Sequence, residues 1–513
     1  MVNKTKQTRK RDWDIDAAAK ALESDARESG RGRTPAIWRS LGFILVAAEA
    51  VTSVLLMVSL ITMNIISGPI IFLVAGVLLI LLAFSTIKLL VQKKTAVFTK
   101  VACSLISLIC IILSVFAYQY TDAFNSFLNK ITDRKPETKT YNVVVLNDSE
   151  IRDVNGLNSK AVGFLKTDEK AGNAEQYLET KAKIEANFYD DIDTLTRVLT
   201  GKIADAITLE ADRINILKEE SADNAKDIRI VYTFSIELES ENAEISEKEV
   251  TKEPFILYIS GTDSRAGISA TARSDVNILA VVNPVKGKIL LVSIPRDTYV
   301  QLHGTVGIRD KLTHAGVYGI NMSKTTIEDF LGISIDYTLK VSFDTVVKVV
   351  DEIGGITIDS DTAMTLGVEG KDKKCSYTVG SQEVDGDCAL RFARERKSYT
   401  TGDRHRGENQ MQVITAILEK MSSSKNYLLR VPTILDIAAD SFETSMTRSN
   451  IADFVRMQLS NGTAWTVESI SVDGAGSMQG TYSMGASRPL YVMLAYPESV
   501  AAAQEKIAEY LAK

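Results

Sequence analysis

The chain is poor in the residues on which much side-chain catalysis and metal binding rests. Its 513 residues include four cysteines and three histidines. A Ser-His-Asp triad would have to draw on His303, His314 or His405, and no G-x-S-x-G elbow accompanies them. No C-x-x-C pair and no Cys/His spacing reads as a zinc site. There is no basic excess either. The formal net charge is -6 with 24% charged residues, so nothing global points to nucleic acid. The length is too great for one small domain.

Long apolar runs are present instead. Leu41–Met63, Pro69–Val91 and Val101–Tyr120 each approach the roughly 20 residues that cross a hydrocarbon core. The first is no cleavable signal peptide, because a long polar segment precedes it and a second span follows at once. Residues 1–39 carry ten Lys/Arg against six Asp/Glu. Lys93, Lys94 and Lys100 fill the loop between the second and third spans, whereas Ile65–Gly68 has no charge. The positive-inside rule then predicts a cytoplasmic N-terminus, with everything after about residue 120 outside the cell membrane. Glu49 lies within the first span. An intramembrane carboxylate is a functional candidate by default, and the plainer reading is a bundle-facing Glu hydrogen-bonded to a neighbour.

The pattern predicts four regions: a cytoplasmic tail at 1–39, three transmembrane helices at 40–120, an accessory α/β domain at 121–250, and a further α/β domain at 251–513. In the accessory block, 141–146, 161–165 and 229–237 read as strands, and 174–188 and 191–199 have helical spacing. From residue 253 onward strands and helices alternate. The expectation is a layered α/β domain, a mixed sheet with helices on both faces.

The run Ala389–Val413 packs five arginines around one aspartate, Asp403. If 389–396 is a strand, Arg394 and Arg396 point the same way. If a helix begins near Thr401, then Asp403, Arg406 and Gln410 share a face. Guanidiniums converging beside a carboxylate suit a diphosphate; a solvated basic face is the bland alternative. Three more segments place charge at strand ends: GTDSR (261–265), RSD (273–275) and PRD (295–297). Ligands of α/β sheets collect at such ends. Asp263 and Asp275 are two carboxylates suited to share a magnesium ion, although either alone also suits a cap or turn.

These segments, in order with LLVSIPRDTYV, KLTHAGVYG, VVKVVDEIGGI, VDGDCALRFARERK and GDRHRGENQMQV, resemble the LytR–CpsA–Psr family of cell-envelope proteins. The three spans and accessory block are similar to its streptococcal, capsule-associated branch. The resemblance implies a membrane-anchored phosphotransferase, with 251–513 as its catalytic domain. It would move a glycopolymer, capsular polysaccharide by preference, from a polyprenyl (undecaprenyl) diphosphate carrier to peptidoglycan. It further implies Mg²⁺ at Asp263 and Asp275. Diphosphate contacts would come from Arg273, Arg296, Arg394, Arg396, Arg406 and Gln410, with Lys311 and Arg265 as further candidates. Asp403 is the candidate base. Membrane lipid and other capsule-assembly proteins would be partners, and nucleic acid would not. Asn409 stands where the family often has arginine, and Arg404 should point off the 403/406/410 face.

Such chemistry fits the residue types, since transfer at phosphorus needs charge neutralisation and in-line positioning above all. Phe330, Leu331, Phe343, Val346, Val347 and Val350 would line a lipid groove or simply form core. His314 reads as structural, and His405 as facing solvent. Cys375 and Cys388, outside the membrane, form either a disulfide or two buried thiols. Two other functions share these features: a lipid diphosphate hydrolase, and a non-catalytic regulator that binds the lipid-linked glycan.

Overall fold

The computed structural model describes residues 36–66, 68–91, 97–133, 136–214, 227–237, 246–262, 267–399, 403–423, 431–461 and 465–512. Asp263 and Arg265 lie outside the described residues, as does most of the polar tail. The chain divides into two compact units, Met1–Asp122 and Ala123–Lys513.

Three helices dominate the first unit: α1 (Ala36–Met63), α2 (Gly68–Thr86) and α3 (Val97–Thr132). Three segments, Ser40–Met63, Gly68–Val91 and Phe98–Thr132, are long and apolar enough to cross a membrane. Apolar side chains such as Phe43, Ile44, Phe72 and Leu73 point outward, which suits lipid as the surrounding solvent. Polar groups turn inward. Glu49 is buried and accepts a hydrogen bond from Ser107 at 2.5 Å, and Ser59 donates to Thr121 at 2.6 Å. Such bonds hold α1 against α3 where water cannot compete. α3 extends past the expected end at Tyr120 because its sequence becomes amphipathic there; Leu128 and Ile131 are buried.

The second unit opens with the strands β1 (Thr138–Leu146), β2 (Ala161–Leu165), β3 (Glu185–Tyr189), β4 (Ala206–Glu210) and β5 (Ile228–Glu237). They form a sheet of order β3-β2-β4-β1-β5, accompanied by α4 (Ala171–Glu179) and α5 (Ile192–Thr200). The expected helix at 174–188 is corrected here. It stops at Glu179, and the aromatic Asn187-Phe188-Tyr189 run pairs with β2 as a parallel strand.

The rest of the unit is built around β6 (Phe255–Thr262), β7 (Ser274–Asn283) and β8 (Lys288–Ser293). Short pieces follow: β9 (Tyr299–Val300), β10 (Asp310–Lys311), α6 (Leu312–Ala315), α7 (Ile320–Leu331), β11 (Tyr337–Ser342) and α8 (Phe343–Glu352). Next come β12 (Ile356–Ser360), β13 (Met364–Gly367), β14 (Lys374–Tyr377), β15 (Gly380–Val384), α9 (Gly386–Ala393), α10 (Asp403–Ser423) and α11 (Val431–Ala439). The chain closes with β16 (Phe442–Thr444), α12 (Arg448–Asn461), β17 (Thr466–Ser471), β18 (Gly474–Thr481), β19 (Gly485–Ala495) and α13 (Pro497–Leu511).

The central sheet has the order β16-β11-β6-β7-β8-β17. It is mixed: β11 and β17 run parallel to their neighbours β6 and β8, while β6, β7 and β8 alternate in direction. Both faces are covered. Ile256, Tyr258, Leu279, Val281, Leu290 and Val292 face α7 and α13. The opposite face carries Phe255, Ala280 and Val282 under Phe454 of α12, and Val276 and Ile278 under Leu390 of α9 and Met411 of α10. Two covered faces explain the almost unbroken apolar run of β7. Full burial of each such side chain contributes about 1.5–3 kcal/mol. Leu331 and Val350, expected to line a lipid groove or form core, belong to core clusters.

A disulfide joins Cys375 in β14 to Cys388 in α9, with Cα atoms 5.4 Å apart. It closes a short loop beside the arginine-rich segment. Replacing both cysteines by alanine should lower the unfolding free energy by about 2–4 kcal/mol, read from denaturant midpoints under oxidising conditions. An unchanged midpoint would contradict a stabilising role for the bond.

Candidate functional site

The candidate site forms where β7 begins and β8 ends, and its first determinant is a defect in the sheet. Gly261 pairs with Val276, but Thr262 pairs with Ser274. Asp275 is therefore an extra residue on β7, a bulge that re-aims its side chain out of the ladder. A buried polar network fixes this kink. Ser274 Oγ lies 2.7 Å from Ser260 Oγ and 3.0 Å from Tyr258 Oη, and donates to Asn277 Oδ1 at 2.8 Å. The Asn277 amide reaches back to the Ser274 carbonyl at 3.0 Å.

Cations close around the extruded carboxylate. Arg296 Nη1 sits 2.7 Å from Asp275 Oδ1, and the Thr313 hydroxyl donates to the same oxygen at 3.1 Å. Arg406 Nη2 donates to the Asp275 carbonyl at 3.3 Å. Burial alone would raise the Asp275 carboxyl, but Arg296, Arg273 and Arg406 outweigh it and hold the group well below its ordinary range. Asp297 follows the same pattern. Burial is outweighed by Arg296, Lys311 and Arg406, and Lys311 Nζ lies 3.3 Å from its Oδ1. Two ionised carboxylates thus stand among Arg273, Arg296, Lys311 and Arg406.

The loop that supplies Lys311 and Thr313 is anchored from below. Asp310 is fully buried. It accepts from the Lys311 and Ser483 backbone N–H groups at 2.8 Å each and lies 2.6 Å from His314 Nδ1. His314 accordingly sits in a structural tie. Gly316 lets this loop pass close to the strand entering the bulge; a Cβ there would collide with the Ala272 carbonyl oxygen.

The arginine-rich run departs from one expectation. Residues 386–393 form α9, not a strand. Asp385 caps the helix by accepting from the Cys388 N–H, and Ala389, Phe392 and Ala393 repeat at helical spacing on its buried face. Arg394 then lies half-buried at the C-cap and Arg396 is exposed two residues on, so alternation along a strand does not align them. Arg391 pairs with Glu395 at 2.7 Å. α10 does begin at Asp403, and Arg406 and Gln410 are buried on its inner face. The side chains of Asp403 and Arg404 lie outside the described residues. Asn409, also buried, donates to the Phe392 carbonyl at 3.2 Å and to Tyr399 Oη at 3.3 Å, fastening α10 to the end of α9. His405 does not face solvent. It stacks on Tyr399 with centroids 3.6 Å apart and lies within 3.3 Å of Glu408.

Asp275 and Asp297 thus stand at the centre of a cationic cluster at one end of the sheet. A model of the LytR_cpsA_psr family matches residues 217–496, more than half of the chain. The chain belongs to the LytR–CpsA–Psr family. Its relatives include the polyisoprenyl-teichoic acid–peptidoglycan teichoic acid transferase TagU of Halalkalibacterium halodurans. That protein is 31% identical over 230 residues, 44% of this chain and 71% of the relative. TagU of Enterococcus faecalis is 32% identical over 231 residues, 44% of this chain and 73% of the relative. The crystal structure of Bacillus subtilis TagV is 26% identical, covers 51% of this chain and 98% of its own, and superposes with a TM-score of 0.41.

Magnesium, which the family resemblance implies, can be tested against the donors present. Among the described residues no group of three His, Cys, Asp or Glu could hold a metal. Asp275 offers one hard, ionised carboxylate. Mg²⁺ is commonly held by one or two protein carboxylates, with water and substrate phosphate completing the octahedron. The donors therefore fit a site that substrate completes, and do not form an all-protein cage.

Thr313 and Asp297 join the site without a sequence-based expectation, although they lie in the KLTHAG and PRD segments. A short polar residue beside Lys311 was the available signal.

Because its pKa is depressed, Asp275 contributes stability that is present above its ordinary value of 3.8 and is lost as pH falls below it. The stability gap between the wild type and Asp275→Asn, measured without divalent metal, should be constant from pH 7 to 5 and narrow below about pH 4. A gap that stays constant down to pH 3 would contradict the pairing.

Proposed function

We propose that this protein transfers a glycopolymer from a polyprenyl diphosphate carrier to peptidoglycan on the outer face of the membrane. The observation that carries the reading is the Asp275 cradle, where Arg296, Arg406, Thr313 and a neighbouring Arg273 surround one ionised carboxylate. Relatives named as polyisoprenyl-teichoic acid–peptidoglycan transferases support it. The lysine-rich loop between the second and third spans supports the outward orientation.

In the proposed reaction, an acceptor hydroxyl oxygen forms a bond to the phosphorus next to the glycan. The bond from that phosphorus to the bridging oxygen breaks, and its electron pair leaves with polyprenyl phosphate. Arg296, Arg273 and Arg406 bind phosphate oxygens bidentately and stay charged at any relevant pH. Arg394, Arg396, Gln410 and Lys311 complete the cradle. Asp403, the first residue of α10, takes the hydroxyl proton. Asp275, with Asp263, would hold Mg²⁺, whose chemistry is charge neutralisation and templating. The leaving group is a phosphate monoester, so no strong general acid is required. Capsular polysaccharide is the proposed cargo, on the strength of the three-span architecture; the relatives' names point to teichoic acid as the alternative.

The test is a transfer assay on the purified chain with lipid diphosphate-linked glycan and peptidoglycan oligomers, with and without Mg²⁺. Metal-dependent attachment is expected. Phosphate release without attachment would make it a hydrolase, and binding without turnover would leave a regulator. Arg296→Ala should lower kcat/KM by about 10²–10³-fold. A loss of less than about threefold would remove Arg296 from the cradle.

A further inference from the structure

The segment that leads into the bulge is held from outside the region that the family model matches. That region begins at residue 217. Thr138, the first residue of β1, forms a parallel bridge with Ala270. Its N–H donates to the Ser269 carbonyl at 3.0 Å, and its carbonyl accepts the Thr271 N–H at 2.9 Å. Lys340 Nζ donates to the Ala270 carbonyl at 2.8 Å and lies 3.5 Å from Glu137, the residue before β1. Just beyond β4, Asp212 Oδ2 accepts the backbone N–H of Arg273 itself at 3.1 Å.

The residue that follows Asp212 is itself anchored. Arg213 is 1% exposed. Its guanidinium donates to Tyr318 Oη at 2.8 Å and to the Ser483 carbonyl at 3.3 Å, and lies 3.3 Å from Glu210. Lys139 bridges Glu210 at 2.7 Å and Asp168 at 2.8 Å, and Tyr141 donates to Asp168 at 2.7 Å. Buried ion pairs are weak evidence for stability, but they specify register, because any sliding strands a charge. Ser483 precedes β19, and its N–H also bonds Asp310, which anchors the loop carrying Lys311 and Thr313. The buried cluster is therefore linked to the Lys311 side through Ser483 and Asp310, and to the Arg273 side through Asp212, the residue before Arg213.

We propose that the N-terminal sheet is a positioning element of the diphosphate site, with Asp212 and Thr138 setting the backbone that places Arg273. This rests on the reading of Arg273 as a diphosphate contact. Asp212 touches no substrate; it is a positioning residue. Segment 269–273 has no ladder of its own between the end of β6 and the start of β7, so these bonds help fix the backbone from which the Arg273 side chain projects. A displacement of about 1 Å at such a group can cost about a hundredfold in rate. The sheet then serves to make one branch of the arginine cradle rigid.

The experiment uses the full chain in lipid nanodiscs. Transfer kinetics and amide hydrogen exchange over 269–275 are measured for Asp212→Ala, Asp212→Asn, Thr271→Pro and Arg273→Ala. Asp212→Ala should speed exchange in that segment and lower kcat/KM about tenfold. Asp212→Asn, which keeps a carbonyl acceptor, should recover to within about threefold of wild type. Thr271→Pro removes the donor to Thr138 without touching Asp212 and should reproduce the loss, so it carries the test should the alanine variant not fold. Wild-type kcat/KM in both Asp212→Ala and Thr271→Pro, with Arg273→Ala crippled, overturns the positioning role alone. Wild-type activity in Arg273→Ala overturns the diphosphate reading beneath it. A loss in Asp212→Asn equal to that in Asp212→Ala overturns the hydrogen bond as its basis.

Discussion

The ion pair between Asp275 and Arg296 is the interaction on which the site depends. It exists because one residue too many stands on β7. The sheet cannot pair that residue, so its carboxylate leaves the ladder and meets the end of β8. With 16% of the Asp275 side chain and 12% of Arg296 exposed, water screens the pair poorly. Breaking a fully buried pair costs about 3–5 kcal/mol, because the partner charge is left behind; this partly buried pair falls below that. Lys166–Asp190, more than half exposed on both sides, belongs to the class worth about 0–1 kcal/mol. The comparison shows why the Asp275 carboxylate holds its cations more firmly than an exposed pair such as Lys166–Asp190 holds its partner.

A cationic cluster of this kind has a built-in difficulty, since its gathered cations repel each other. Asp275 and Asp297 relieve that repulsion in the resting state. A diphosphate would bring the same sign of charge with better geometry for bidentate contact. Rigidity then has to come from elsewhere. The Ser260–Ser274–Asn277 network supplies it beneath the bulge, Asp310 beneath the Lys311 loop, and Asn409 at the junction of α9 and α10. In the proposed account, the N-terminal sheet supplies it for the segment carrying Arg273.

Much of this was legible in the chain. The apolar spans stand out by length alone, and β6, β7 and β8 by runs of β-branched residues bounded by turns. The ordered charged segments marked the end of the sheet where the site lies. Other parts were hidden for physical reasons. ALRFAR is short enough to satisfy both strand and helix periods, and the Asp385 cap and the buried Phe392 decide for helix. The bulge is a property of register between two strands, which neither strand reveals alone. Asn409 read as a missing phosphate contact and is instead a buried fastener, a role set by Phe392 and Tyr399. The contact of Asp212 with Arg273 joins residues sixty-one apart, and no local pattern announces it.

The most direct test of the cradle is a structure of the protein with a short-chain polyprenyl diphosphate and magnesium bound. The account predicts phosphate oxygens within hydrogen-bond reach of Arg296 and Arg406, with the metal against Asp275. A lipid diphosphate seated elsewhere, with the Asp275–Arg296 pair undisturbed and no metal beside it, would contradict it.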